Sequence, residues 1–175
     1  MSELATITRH AERGMITLRA DLSDGTVAEA VRAATGHAIP AAGKIAGDGT
    51  KGVLWMSPDE LLIMVPYDTV DAALEQIVTA LSGVHHLAVN VSDARAVFTV
   101  AGDHAREVLA RLCPVDLHAQ SFGVGDFRRT RLAQVPAAFW QHETGFDVVC
   151  FRSVGDYAEG VLRRSAQGTP TGALG

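Results

Sequence analysis

Ile16, Leu18 and Ala20 alternate with Thr17 and Arg19, the two-residue period of a strand with one buried face, which predicts a strand over about 14–21. Thr26-Val27-Ala28-Glu29 then has the form of a capping box. Val27, Ala30, Val31 and Ala34 follow at helical spacing, and Gly36 stands where a left-handed C-cap belongs. Two apolar runs, Val53–Met56 and Leu61–Val65, flank Ser57-Pro58-Asp59-Glu60, whose proline suits the second position of a type I turn, so a hairpin is expected. Asp68 is placed to cap a helix in which Val70, Ala73, Leu74, Ile77, Val78 and Leu81 form one stripe before Gly83.

Leu87, Val89 and Val91 alternate again, Ser92–Arg95 turns, and Ala96–Val100 returns, which predicts a second hairpin. The order then restarts. Asp103 precedes a helix with Ala105, Val108, Leu109 and Leu112 on one side, ending at Cys113. A loop over 113–126 leads to a strand over Arg131–Trp140, a turn at Gln141–Gly145, the strand Phe146–Phe151 and a last helix opening at Ser153-Val154-Gly155-Asp156. The chain thus reads β-α-β-β-α-β followed by β-α-β-β-α, an approximate repeat shifted by roughly 80–90 residues. This implies an α+β fold with two ferredoxin-like (split βαβ) lobes in tandem, about 14–91 and 94–166, forming one compact domain over 1–166. Residues 167–175 show no apolar period and are expected to be a flexible tail.

Composition narrows the functional classes. With 15 Lys+Arg against 20 Asp+Glu the net charge is −5, the wrong sign for a protein that displaces counterions from duplex phosphates. The basic clusters at Arg128–Arg131 and Arg163-Arg164 read as solvated faces. Two cysteines make no disulfide framework. Neither a signal-like N-terminal segment nor a membrane-length apolar run is present, so a cytoplasmic setting without membrane contact is expected.

Candidate chemistry is sparse. Gly47-Asp48-Gly49-Thr50-Lys51-Gly52 matches the dinucleotide GxGxxG pattern, but a loop precedes it and a strand follows, the reverse of what a pyrophosphate needs. Cys113, at the negative end of its helix, is poorly placed to become a thiolate despite His118 nearby, and Cys150 reads as core. The seven histidines (10, 37, 85, 86, 104, 118 and 142) contain no HxxxH. No nucleophile elbow or P-loop occurs, so no catalytic, cofactor-binding or metal-binding residues are assigned. Trp55 and Trp140 lie in strands, as core or as partner anchors.

Three stretches carry a resemblance. They are Leu54-Trp55-Met56-Ser57-Pro58-Asp59-Glu60-Leu61-Leu62; Val91-Ser92-Asp93-Ala94-Arg95, leading into Ala105 through Leu112-Cys113-Pro114-Val115-Asp116-Leu117-His118; and Thr130-Arg131-Leu132-Ala133-Gln134-Val135-Pro136. In sequence and spacing they resemble the gamma subunits of heterotetrameric sarcosine oxidases, whose fold is related to the folate-binding domain of glycine-cleavage aminomethyltransferases. The resemblance implies a complex that demethylates sarcosine oxidatively to glycine and hydrogen peroxide and forms 5,10-methylenetetrahydrofolate. FAD, FMN, NAD and tetrahydrofolate would serve that complex, with none bound by this chain. The chain would be a non-catalytic subunit packed mainly against alpha, alongside beta and delta. Trp55, Asp116, His118, Arg131 and Gln134 are the expected partner-binding residues. The aminomethyltransferases have a longer chain with a further barrel domain, and here only Gln141–Asp147 stands in a place comparable to their acid-bearing, glycine-rich segment near the folate site, which argues against independent folate transfer. The alternative reading is a stand-alone folate-binding one-carbon module that uses the cleft between the lobes.

Overall fold

The structure, a computed structural model, describes residues 3–172 and 174. Its elements are β1 (Thr6–His10), β2 (Gly14–Ala20), α1 (Gly25–Thr35), β3 (Ile45–Gly47), β4 (Gly52–Ser57), β5 (Glu60–Val65), α2 (Val70–Ala80) and β6 (His86–Asn90). There follow β7 (Arg95–Ala101), α3 (Ala105–Ala110), β8 (Phe127–Leu132), β9 (Val135–His142), β10 (Gly145–Phe151) and α4 (Gly155–Ala166). They divide into two units, residues 12–93 and residues 1–11 with 94–175.

In the first unit an antiparallel sheet has the order β3-β4-β5-β2-β6. Ile16, Leu18, Leu61 and Ile63 meet Val27, Val31 and Ile77 of the helices in one buried cluster. The strand and helix spacing of the sequence is realised here, with local differences. Asp24 caps α1, accepting from the Thr26 amide at 2.7 Å, so the Thr26–Glu29 box is not used: an aspartate two residues earlier already satisfies that donor. Gly36 ends the helix at φ 78°, its N–H on the Arg32 carbonyl. Asp68 does not cap α2. Tyr67–Thr69 form a 3₁₀ turn closed by Thr69 N to Pro66 O at 3.1 Å, and no side chain caps the helix that follows. The expected stripe is broken at Val78, which is exposed.

The GxGxxG segment is the β3–β4 hairpin turn. The Asp48 carboxylate gathers the amides of Thr50 and Lys51 at 2.7 and 2.9 Å, the usual aspartate turn. These donors are consumed internally, as the sequence context required.

The second unit repeats the topology in permuted form. Its order is β1-β7-β10-β9-β8. Set beside the first unit, β7, β9, β10 and β1 correspond to β2, β4, β5 and β6, and β8 and β3 are outer additions. The fourth strand missing from the expected second repeat is therefore β1, from the start of the chain. The expected hairpin between 87–91 and 96–100 does not form: β6 pairs with β2, and β7 pairs with β1 and β10. A 3₁₀ turn, Ser92–Ala94, carries the chain from one unit to the other.

The single strand expected over 131–140 is two. Leu132 and Val135 face each other across a turn in which Ala133 adopts φ 51°. The helix expected over 103–112 spans only Ala105–Ala110, and Asp103 does not cap it. Ala105, Val108 and Leu109 supply the buried stripe all the same. Trp140 is fully buried in β9. Among the described residues no helix is long and apolar enough to cross a membrane.

At Gly145, where β10 starts at φ 155°, a Cβ would collide with the Val100 carbonyl oxygen and lie 2.9 Å from Ala101 Cα. Gly160, inside α4, has open space around it. Gly145→Ala is expected to cost about 2–4 kcal/mol, and Gly160→Ala to stabilise by about 0.5–1 kcal/mol. Urea unfolding of both variants is the check, and a Gly145→Ala protein as stable as its parent would contradict this close approach.

Candidate functional site

The block Leu112–His118 opens a loop whose shape is set from α3. One guanidinium nitrogen of Arg106 donates to the carbonyls of Leu117 and Phe122 at 2.6 and 2.9 Å, and the other to Gln141 Oε1 at 3.0 Å. The guanidinium lies 5.5 Å from the Phe146 ring centroid, and its burial lowers its pKa. Phe122 packs 5.3 Å from Phe139 and 6.2 Å from Phe146. Charged donors on buried carbonyls are among the stronger hydrogen bonds, so Arg106 pins the loop at two points.

Within the loop Asp116 accepts from the His118 amide at 3.0 Å. That bond, then one from the Ser121 hydroxyl, holds its carboxyl below the usual range. His118 Nδ1 accepts from the Gln120 amide at 3.3 Å. Both residues therefore shape turns. Cys113 is buried, and burial pushes its thiol up to about 12. A Cys113–His118 nucleophile has no thiolate at neutral pH, and Cys150 is raised by burial as well.

Arg131 and Gln134 lie exposed on β8 and in the turn after it. The Ala133 amide donates to the Leu112 carbonyl at 2.8 Å, so this turn is tied to the start of the loop that carries Asp116 and His118. Trp55 belongs to the other unit, half-buried on β4, its amide on the Lys44 carbonyl.

A polar chain that sequence reasoning missed crosses the second sheet on the side away from α3 and α4. Asp147, 4% exposed in β10, accepts from Thr99 Oγ1 at 2.5 Å. Thr99 Oγ1 is 2.7 Å from His10 Nε2. A hydroxyl has one proton, already given to the carboxylate, so His10 must donate through Nε2. His142 Nε2 lies 3.5 Å from the same aspartate. Asp147 stands opposite Trp140 in the β10–β9 register; the buried Trp140 Nε1 has no hydrogen-bond partner among the described residues. Only a carboxylate inside the apolar run Phe146–Phe151 could have signalled this chain in the sequence. Among the described residues no group of three or more His, Cys, Asp or Glu is placed to hold a metal.

The described part of the segment expected as a tail makes hydrogen bonds to α3. Glu107 of α3 takes the Thr171 amide at 2.7 Å, the Thr171 hydroxyl at 2.8 Å and the Gly172 amide at 3.0 Å. Arg111 donates to the carbonyls of Ser165 and Thr169. Residues 173 and 175 of that tail lie outside the described residues.

The family model for the sarcosine oxidase gamma subunit family matches residues 19–167. The chain belongs to this family. A sarcosine oxidase subunit gamma from Corynebacterium sp. (strain U-96) is 39% identical over 115 residues, covering 64% of this chain and 55% of the relative. One from an Arthrobacter species is 37% identical over the same shares, so the chain spans about half the length of the curated relatives it matches. Among solved structures, a chain of heterotetrameric sarcosine oxidase from Corynebacterium sp. U-96 superposes with TM-score 0.85 and 31% identity, over 95% of this chain and 86% of that one. The aminomethyltransferase T of the glycine cleavage system from Bartonella henselae matches at TM-score 0.67 and 12% identity, over 92% of this chain and 46% of that one; it shares the fold. The α+β architecture with two ferredoxin-like units expected from the sequence is thus that of the gamma subunit family.

In this gamma-family chain the Glu107 carboxyl is held at about 2, first by the Thr171 amide and hydroxyl and then by the Gly172 amide. Its folded pKa lies below the ordinary value of about 4.3. The stabilisation is therefore complete above that value, declines as pH falls from there, and is lost below about 2. Glu107→Gln, which removes the charge, is expected to speed hydrogen exchange of the Thr171 and Gly172 amides at neutral pH. Unchanged exchange would mean that other contacts hold the segment.

Proposed function

We propose that this chain is a gamma subunit of a heterotetrameric sarcosine oxidase, a non-catalytic component that packs against and stabilises the alpha chain in the cytoplasm. The observation that carries this reading is the superposition on a sarcosine oxidase chain along 95% of the length at TM-score 0.85. The interior supports it: both thiols are buried and raised, and Asp116 and His118 are spent on loop turns. In the complex, sarcosine, dioxygen and tetrahydrofolate would give glycine, hydrogen peroxide and 5,10-methylenetetrahydrofolate. FAD, FMN and NAD would be held by other subunits.

The part assigned to this chain is a preformed surface, burying on the order of 1,000 Å² per partner. Of the expected partner-binding residues, Arg131 and Gln134 are exposed at a turn anchored by the Ala133–Leu112 bond, and they are the ones we assign to contact with alpha. Asp116 and His118 would act by holding the adjoining loop in shape, and Trp55 would contribute from the other unit.

Co-expression with candidate alpha, beta and delta chains is expected to yield a flavoprotein that retains this chain through size exclusion. Arg131→Glu should weaken retention while leaving the thermal midpoint of the isolated chain unchanged. A flavoprotein that forms without this chain, or a lone chain that binds tetrahydrofolate stoichiometrically, would overturn the assignment.

A further inference from the structure

Natural sheets protect their outer strands, because unpaired N–H and C=O groups template pairing with other chains. Three of the sheet edges described here follow that rule. β3 is only three residues long, β8 carries exposed Arg128, Arg129 and Arg131, and β1 carries Arg9, ion-paired to Asp156 at 2.7 Å. The fourth edge, β6, does not. Its sequence, His86-Leu87-Ala88-Val89-Asn90, has no lysine, arginine, carboxylate or proline.

Register shows which groups β6 presents. The Val91 amide donates to the Met15 carbonyl at 2.8 Å, so Thr17 opposite Val89 and Arg19 opposite Leu87 are the hydrogen-bonded pairs. By alternation the main-chain groups of His86, Ala88 and Asn90 point away from the sheet, and none has a partner among the described residues. Leu87 and Val89, on one face two residues apart, are 53% and 41% exposed. An added strand would find main-chain partners at three positions and an apolar strip beside them.

The His86 end of this edge opens on a groove of about 720 Å³, lined by Asp21, Asp24 and Asp59 as well as by Arg19, Val84 and Leu87. The Arg19 charge is met by Glu60 at 3.0 Å and Asp59 at 3.5 Å. Asp21 is held below the usual carboxylate range by the Ser23 hydroxyl and amide, and Asp59 by the Ser57 hydroxyl. For Asp21 and Asp24 one oxygen serves the local turn or cap, which leaves the other open to a cation. The groove is thus anionic where it adjoins the bare edge.

We infer that the outer edge of β6 docks an extended segment of a partner subunit, added as a further strand. Its apolar side chains at alternate positions lie along Leu87 and Val89, and a lysine or arginine at one end meets Asp21 and Asp24. This rests on the subunit reading for who supplies the segment, and on β6 alone for its chemistry.

The probe is the acetylated, amidated peptide Lys-Lys-Val-Thr-Val-Thr-Val, titrated into the ¹⁵N-labelled full chain. The His86, Ala88 and Asn90 amide signals are expected to move saturably. Asp21→Asn with Asp24→Asn keeps the local acceptors and should weaken binding about tenfold. Leu87→Lys with Val89→Lys, at exposed positions that leave the thermal midpoint unchanged, should abolish it. No movement at millimolar peptide, movement centred elsewhere, or binding that the lysine pair leaves intact overturns the inference. In the assembled complex the same lysine pair should lower affinity at least about tenfold, and unchanged affinity likewise overturns it. A complex that never assembles from the parent chains counts against the subunit reading instead, and the peptide titration then decides this inference by itself.

Discussion

The second unit depends on a pairing between residues about ninety positions apart. β1 lies antiparallel to β7 from Thr6 opposite Ala101 to His10 opposite Val97. Without it, α4 would have sheet on only part of its buried face. Leu4, Ala5 and Ile7 belong to the same core as Ala158, Leu162 and Ala166, the Leu4 amide closes on the Ala166 carbonyl at 2.7 Å, and Arg9 reaches Asp156 and Glu159. The closure entropy of that long loop must be met before these contacts form. In the first unit β2 is followed directly by the helix that covers it, so its sheet starts from nearer pairings. One topology is thus assembled under two different constraints.

That permutation also explains which parts of the fold were legible. Periodicity reports that a segment is a strand with one buried face, but it does not name the partner. The alternation of 87–91 and 96–100 was real, and the turn between them was real, yet the two strands part into different sheets. β1 has a single buried apolar residue, Ile7, and β3 is Ile45-Ala46-Gly47, too little pattern for either to be read. The break between β8 and β9 falls at Ala133-Gln134, where no Gly, Pro, Asn or Asp marks a turn. Alanine there takes the left-handed region while its amide is held by Leu112, a tertiary tie that local sequence does not encode.

The candidate site was legible as a motif and opaque as a mechanism. The run from Leu112 to His118 stood out, but its meaning lies in Arg106 on the preceding helix, which reads as any surface arginine until its three acceptors are seen. Asp116 and His118 are expected partner-binding residues within the family resemblance, and each also bonds to an amide two residues away, a turn-forming part that the motif alone does not show. The His10–Thr99–Asp147–His142 chain draws on four strands, two of its members standing at strand ends, so no spacing could have joined them.

A protein that need only remain soluble has every reason to blunt its sheet edges, and three of the edges here are blunted by different devices, which shows that the pressure operates on this chain. Shortening β6 or placing one lysine on it would be sterically cheap, since Leu87 and Val89 already face outward. A bare, uncharged strand beside a carboxylate-lined groove is instead what a sheet needs if it is to be completed by another chain. Such an edge is a hazard in isolation and an asset in an obligate assembly, where pairing removes the hazard and the local charge selects the partner. The polarity of the groove then supplies register as well as attraction: a basic residue bound at the His86 end fixes which of the sliding alignments places apolar side chains along Leu87 and Val89.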